Sequence, residues 1–436
     1  MRKILAVLIM ACLLVGMAAP VAMAEEKITL DWWVTDVATL VEIYEKVAAA
    51  YEAEHPNVDI RISSYTDQYD EKLKSAQAAG QAPDIYIEAV LANGVTSNMF
   101  LDLTPYMERD GFKPEEIYYQ PYMDYMCKYQ DKYYALPRDI FSLAIVYNKD
   151  LFDEAGVAYP QEGWTLEDLR ETAKKLTVPE KKQYGVILPE IWSLFNMLWS
   201  FGGDMCNEDA TMATGFINSE GTAKFMQYIQ DMIFVDNCAP TPQQLESFGG
   251  TEQEGGSGNI FMLGKLGMMA VERYAVGDFL EAEMNIGAVS MPVGLDGKSW
   301  TYASAPSWSI AATTKHPDEA WDFLKFAFGP EGSRLLAETH FFFPCVKQVA
   351  EELSFDKDPL DSVFFAQLDE SRQTKLAPWW RRPADWVGVY SPPVHDGWDV
   401  AWEEIMFNQA DVQETLDMAA EEIDMGIEDY IRQAGK

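Results

Sequence analysis

Histidine and cysteine are scarce in this chain, whose 436 residues include 4 His and 5 Cys. The histidines stand far apart and form neither the H-E-x-x-H spacing of zinc proteases nor a hydrolase triad. The cysteine spacing gives no zinc signature. The sequence also lacks a G-x-S-x-G elbow, a Walker A loop and a G-x-G-x-x-G turn after a strand. It therefore predicts no metal, no cofactor and no motif-based catalytic site.

Basic residues are also few, since 33 Lys and Arg stand against 70 Asp and Glu, for a net charge of −37. Nucleic acid is a poor partner for such a chain, because its phosphates need basic side chains to neutralise them. The same charge argues against binding to anionic lipid surfaces. Apolar residues make up 48% of the chain, so the composition is that of a folded protein with a real core.

The N-terminus has the pattern of a secretory signal peptide. Arg2 and Lys3 precede an apolar stretch from Ile4 to Met17, and Ala22-Met23-Ala24 is a small-x-small cleavage site. We therefore expect export and a mature chain that begins at Glu25. A lipid-modified Cys12 is the alternative, which would tether the protein to the membrane. After Ala24 there is no apolar run of about 18 residues that could span a bilayer.

The mature chain of 436 − 24 = 412 residues is long enough for two domains. Apolar periodicity predicts alternating strands and helices from Ile28 to Ile87, which is typical of a parallel sheet covered by helices. A second such region begins near Tyr133. In it, Thr165 with Asp168 three residues later predicts the N-terminus of a helix, as Asp411 with Glu414 does near the C-terminus.

Several blocks of sequence occur in the order found in one known family. They are APDI from Ala82, YYALP from Tyr133, VYNKDLFDEAG from Val146, GWTLEDL from Gly163, AKKLT from Ala173, FMLGKLGMM from Phe261 and HPDEAWDFLKF from His316. Together they resemble the extracellular solute-binding proteins of the maltose-binding type, which serve ABC sugar importers.

The resemblance implies an α/β, two-lobed periplasmic-binding-protein-like fold, each lobe a mainly parallel sheet flanked by helices. It implies crossings between the lobes near Leu136–Ser142, Met291–Ser304 and Phe343–Val346. Lobe 1 would comprise residues 25–138 and 303–343, and lobe 2 residues 139–302 and 344–436. A monomer would capture a mono- or oligosaccharide between the lobes and deliver it to the permease subunits of an ABC importer. It would act in the periplasm or at the outer face of the cytoplasmic membrane.

A saccharide site needs aromatic platforms for apolar sugar faces and planar polar groups for hydroxyls. Strand C-terminal ends face the crevice in such folds. Position therefore favours Trp32, Trp33 and Asp36 after the first strand, Tyr65 and Asp67 after the second, and Glu88 after the third. Near the crossings and in lobe 2 the candidates are Asp139, Trp192, Arg273, Tyr274 and Trp308. Core packing is the alternative for each aromatic ring, and an ion pair with Arg138 is the alternative for Asp139.

Other interpretations stay open at this point. Paired carboxylates are abundant, so a secreted glycosidase is one alternative. Aromatic rings with carboxylates could also cage an ammonium group, so a binding protein for a cationic solute such as a polyamine is another. A disulfide between Cys206 and Cys238 is a further hypothesis, because both follow predicted helices in the same lobe. Trp379 and Trp380 are expected to cover core or surface.

Overall fold

The computed structural model describes residues 27–35, 38–65, 68–87, 91–187, 191–248, 256–303, 305–339, 342–367, 373–376 and 393–433. The predicted signal peptide, Cys12, Trp379 and Trp380 lie outside these residues. Within the described ranges, no helix has both the length and the apolar character needed to cross a membrane.

Thirteen strands are described. They are β1 (Ile28–Val34), β2 (Val58–Ser64), β3 (Ile85–Ile87), β4 (Lys128–Tyr129), β5 (Lys132–Tyr133), β6 (Ala135–Pro137), β7 (Leu143–Asn148), β8 (Tyr184–Ile187), β9 (Leu266–Glu272), β10 (Ile286–Val289), β11 (Trp300–Ala303), β12 (Ser307–Ile310) and β13 (Gln373–Leu376).

The described α-helices alternate with these strands. They are α1 (Ala38–Glu54), α2 (Tyr69–Ala78), α3 (Leu91–Thr96), α4 (Thr104–Asp110), α5 (Pro114–Ile117), α6 (Gln120–Met126), α7 (Lys149–Ala155), α8 (Leu166–Leu176), α9 (Ile191–Ser200), α10 (Glu220–Phe234), α11 (Pro242–Glu246), α12 (Gly256–Met262), α13 (Ala275–Glu281), α14 (Pro317–Phe328), α15 (Pro330–Ala337), α16 (Lys347–Glu352), α17 (Asp361–Ala366), α18 (Pro393–Met406) and α19 (Val412–Gln433).

Lobe 1 is built on a five-stranded sheet with the order β2-β1-β3-β12-β6. Alternate residues of β1, namely Leu30, Trp32 and Val34, are fully buried. Helix α1 packs against β2, α14 and α15, so these helices cover the buried face. This is the expected consequence of the period-two pattern in β1 and the helical apolar pattern in α1.

Lobe 2 is built on a four-stranded sheet with the order β10-β7-β9-β8. Every residue of β7 and β9 is buried, as expected for central strands covered on both faces. The C-terminal helices α18 and α19 pack together and contact α10, and their buried residues belong to the core of this lobe. The C-terminal part of the chain thus completes lobe 2.

Both sheets are mainly parallel, as predicted, and each contains one strand that runs opposite to the others, β12 in lobe 1 and β7 in lobe 2. Strand β1 is parallel to β2 and β3, and β8 is parallel to β9. The strand β12 is antiparallel to β3 and β6, and β7 is antiparallel to β9 and β10. The antiparallel pairs all involve strands next to the crossings, because a chain that enters a lobe from the interlobe side runs opposite to the strands that end there.

Local signals in the sequence agree with the structure at the helix ends. Thr165 and Asp168 form a complete capping box at the start of α8. The Asp411 carboxylate accepts the backbone N–H of Glu414, at 2.9 Å, at the start of α19. The predicted disulfide is absent: the described cysteines, including Cys206 and Cys238, are buried thiols.

Candidate functional site

In each sheet, one edge bears the strand ends that connect to the other lobe, and we call it the interlobe edge. In lobe 1 it lies where β1, β2, β3 and β6 end and β12 begins, as the strand registers require. In lobe 2 it lies where β8, β9 and β10 end and β7 begins. Strand ends of this kind are where open α/β sheets bind ligands.

Three chain segments run side by side between these edges. The Arg138 N–H donates to Pro306 O (2.8 Å), and the Ile140 N–H donates to Phe343 O (3.2 Å). Asp139 and Pro344 form an isolated antiparallel bridge. The chain thus passes from β6 to β7 and from β10 to β12 through two of these segments, and the Phe343–Pro344 segment is hydrogen-bonded beside the first.

The third segment stays with lobe 1 beyond residue 344, where the sequence predicted that lobe 2 resumes. Helix α16 packs against α15, and Arg334 of α15 pairs with Glu352 of α16. Lys347 Nζ also donates to the backbone oxygen of Glu115 (3.1 Å) in lobe 1. Chain contacts therefore shift toward lobe 2 only after α16.

The first crossing is anchored by a buried arginine. Arg138 Nε pairs with Asp139 Oδ1 at 2.8 Å, and the two side chains are 6% and 4% exposed. Its Nη1 donates to the Tyr44 hydroxyl (2.5 Å), and its guanidinium lies 4.4 Å from the Phe342 ring and 5.2 Å from the Trp308 ring. The ion pair with Arg138 that was considered for Asp139 is present, and a contact of Asp139 with ligand stays a prediction.

Two of the predicted ligand-binding tryptophans are core residues of lobe 1. Trp32 and Trp308 have no exposed surface, and their rings lie 6.4 Å apart. Trp32 also packs against Tyr44, with ring centroids 5.0 Å apart. Packing thus replaces ligand binding as the role of both rings, because a ring covered on every side by protein has no face for a sugar.

The neighbouring Trp33 lies on the opposite face of β1 and is half-buried. Its ring centroid is 4.6 Å from that of Tyr65, the residue that follows β2. The ammonium group of Lys72 lies 4.6 Å from the centre of the Tyr65 ring. Trp33 and Tyr65 therefore form an aromatic pair at the interlobe edge of lobe 1, with a cation against it.

In lobe 2, Arg273 and Tyr274 follow directly after β9. Tyr274 is 46% exposed, and its ring centroid is 6.1 Å from that of Phe141 in the first crossing. Arg273 is buried, and its Nε donates to Asp361 Oδ1 at the start of α17. Sequence reasoning missed Asp361, because it lies 88 residues from its partner and no local pattern connects the two.

The remaining candidates cannot be placed at side-chain level. Asp36, Asp67 and Glu88 lie outside the described residues. Trp192 belongs to α9, whose backbone is described while this side chain is not. Among the residues that are described, no group of three or more His, Cys, Asp or Glu could hold a metal ion.

Comparison with known proteins gives one matching family. The sequence profile of the family described as bacterial extracellular solute-binding protein matches residues 38–334. A putative binding protein of Brucella abortus is 26% identical over 355 residues, which cover 78% of this chain and 82% of that protein. The maltotriose-binding protein of Pyrococcus abyssi is 25% identical over 357 residues, with 80% and 73% covered. The galactooligosaccharide-binding protein of Bacillus subtilis is 22% identical over 386 residues, with 86% and 84% covered.

Solved structures share the fold. An ABC substrate-binding protein from Listeria monocytogenes, in complex with cycloalternan, superposes with a TM-score of 0.75 at 21% identity, covering 92% of this chain and 98% of that chain. The cyclic alpha-maltosyl-1,6-maltose binding protein from Arthrobacter globiformis gives a TM-score of 0.74 at 18% identity, with 92% and 99% covered. The predicted two-lobed α/β fold and the predicted family resemblance are both confirmed.

Proposed function

Because the chain belongs to the family of bacterial extracellular solute-binding proteins, we propose that it is an exported carbohydrate-binding protein without catalytic activity. It captures a mono- or oligosaccharide between its lobes and passes it to the permease of an ABC importer in the membrane. Several relatives are named for binding maltotriose, maltodextrin or galactooligosaccharide, which favours a sugar as the ligand here.

One observation carries this proposal. Tyr274 exposes 46% of its surface at the interlobe edge of lobe 2, so its ring is accessible to a ligand there. Its ring lies beside Phe141 of the first crossing, and the Trp33–Tyr65 pair lies at the interlobe edge of lobe 1. A sugar held between the lobes would meet an aromatic surface from each side, as binding by both lobes requires.

The ligand class is tested by melting the purified mature protein with a panel of neutral oligosaccharides, with spermidine as the cationic alternative. A ligand that binds only the folded protein raises its melting temperature by mass action. We expect a shift with at least one oligosaccharide and none with spermidine. A shift with spermidine alone would replace the sugar by a cationic solute.

Tyr274→Ala tests the position of the site. Loss of a central aromatic contact costs roughly 1 to 3 kcal/mol, or about tenfold to a few hundredfold in Kd. The melting temperature without ligand should stay close to that of the wild type, because Tyr274 is half-exposed. Leu280→Ala is the matched control, since Leu280 is 48% exposed at the other end of α13. If both variants bind alike, Tyr274 is not a ligand contact.

The absence of turnover is tested separately. Each sugar that shifts the melting temperature is incubated with catalytic amounts of protein, and the products are separated by chromatography. We expect the sugar to be recovered intact. Continuous release of shorter sugars would support the glycosidase alternative, which needs only two suitably spaced carboxylates.

A further inference from the structure

Helix α17 contacts both lobes. The ring of Phe365 lies 5.9 Å from Tyr119 of lobe 1 and 6.1 Å from Phe343 beside the crossings. Two polar residues of the same segment bind lobe 2: Asp361 accepts from Arg273, and Gln367 Nε2 donates to Ser290 Oγ at 2.9 Å. Arg273 and Ser290 directly follow β9 and β10, so α17 fixes two strand ends at the interlobe edge of lobe 2.

Arg273 retains a donor that nothing in the described structure uses. Its Nη1 is buried and has no hydrogen-bond partner among the described residues. The same holds for the hydroxyl of Ser142. These two residues are adjacent to the last pair of the ladder between β7 and β9, Leu143 with Glu272. Ser142 and Arg273 are therefore neighbours in the backbone at the interlobe edge, and each carries a buried polar group that costs free energy unless it finds a partner.

The charge of Arg273 is already balanced. Arg273 and Asp361 are 6% and 8% exposed at their side chains, so their attraction is little screened by water. A neutral hydroxyl can accept from Nη1 without disturbing this balance, whereas a carboxylate would bring an unpaired negative charge next to Asp361. The pair thus suits a neutral sugar better than a uronate.

We propose that Arg273 and Ser142 bind a hydroxyl of the ligand, an inference that rests on the proposed function. Asp361 is then a positioning residue, because it orients Arg273. Its charge also makes the contact selective for uncharged sugars. Nη1 is covered in the present structure. This contact requires that α17 move with lobe 1 when the lobes separate, so that Nη1 is uncovered and a ligand oxygen can bind there before the lobes close.

The test compares neutral and acidic forms of the same sugar. The probes are maltotriose and β-1,4-galactotriose, each also in a form oxidised at C6 to a uronate, and Kd is measured by calorimetry. Arg273→Lys keeps the positive charge but removes the planar set of N–H donors of the guanidinium group. It should weaken binding of the neutral sugar by about tenfold to a hundredfold. Ser142→Ala should weaken it by about threefold to tenfold.

Asp361→Asn distinguishes the proposed role of Asp361 from a purely structural one, because only the proposed role changes the ratio of the affinities for the uronate and the neutral sugar. It leaves the guanidinium without its counter-charge, so affinity for the uronate should rise by at least about tenfold relative to the neutral sugar. If this variant fails to fold, the double variant Arg273→Met with Asp361→Leu replaces the pair by apolar groups, which proteins often tolerate. It should bind the neutral sugar weakly and show no gain for the uronate.

Arg170→Lys is the matched control. Arg170 also lies in lobe 2 and also binds an aspartate through Nε, with Asp236 Oδ2 at 2.5 Å, but it belongs to α8 and not to a strand end at the interlobe edge. It should bind like the wild type. The inference is overturned if Arg273→Lys also binds like the wild type, if Asp361→Asn leaves the ratio of the two affinities unchanged, or if the double variant binds normally. A wild type that binds none of the four probes would overturn the proposed function for these sugars, and this inference with it.

Discussion

Asp139→Asn should destabilise the protein without weakening ligand binding. The substitution removes the charge of a buried partner of Arg138, and breaking a buried ion pair costs roughly 3 to 5 kcal/mol. Arg138 keeps the Tyr44 hydroxyl and two aromatic faces, at 4.4 Å and 5.2 Å from its guanidinium. Because these contacts persist and Asn can still accept a hydrogen bond, we expect the free energy of unfolding to fall by about 3 kcal/mol, the lower end of that range.

The assay is urea unfolding followed by tryptophan fluorescence and circular dichroism, with the free energy of unfolding extrapolated to water. Asp236→Asn is the control, since Asp236 also pairs with an arginine, but the two side chains are 13% and 21% exposed. That variant should lose only about 1 kcal/mol, because Arg170 keeps a second carboxylate partner, Asp231, at 3.7 Å. If Asp139→Asn costs no more than the control and instead lowers ligand affinity tenfold, Asp139 is a ligand residue and the anchoring role is refuted.

Two further predictions concern packing and thiol chemistry. Gly185→Ala should lower the free energy of unfolding by several kcal/mol, because a Cβ there would lie 1.9 Å from the backbone oxygen of Ala173 on α8. Gly277→Ala on α13 is the control and should be neutral or slightly stabilising, because the space around Gly277 is open. The urea midpoints of the two variants are compared with that of the wild type. Burial raises the pKa of the Cys127 and Cys238 thiols to about 12, so at pH 8 the native protein should not react with Ellman's reagent, while the urea-unfolded chain should react. Since unfolded thiols ionise near pH 8.5, the free energy of unfolding should fall as the pH rises from about 8.5 toward 12, and a flat profile would contradict this burial.

The helices and the order of elements could be predicted because their signals are local. The capping box at Thr165 and Asp168 and the apolar face of α14 are each contained within a few turns of chain. The direction of the strands beside the crossings was harder to predict. It depends on where the chain enters each lobe, and this is a property of the whole topology.

The site was only partly predictable for a related reason. Strand periodicity places Trp32 and Trp33 on opposite faces of β1 but does not say which face meets the core. The structure buries Trp32 completely and leaves Trp33 half-buried against Tyr65. The partner of Arg273 could not be found by any spacing rule, because Asp361 comes from a helix that follows the last crossing segment.

The position of Phe141 connects ligand binding with motion of the lobes. The first crossing is hydrogen-bonded to its neighbours through Ile140, and β7 begins at Leu143. Phe141 and Ser142 therefore link the hydrogen-bonded part of this crossing to the first strand of lobe 2. Phe141 packs against Tyr274, the exposed ring proposed to contact the sugar. A ligand that binds Tyr274 would thus touch a ring that packs against the first crossing, and a contact made better in one arrangement of the lobes than in another would shift the population toward that arrangement.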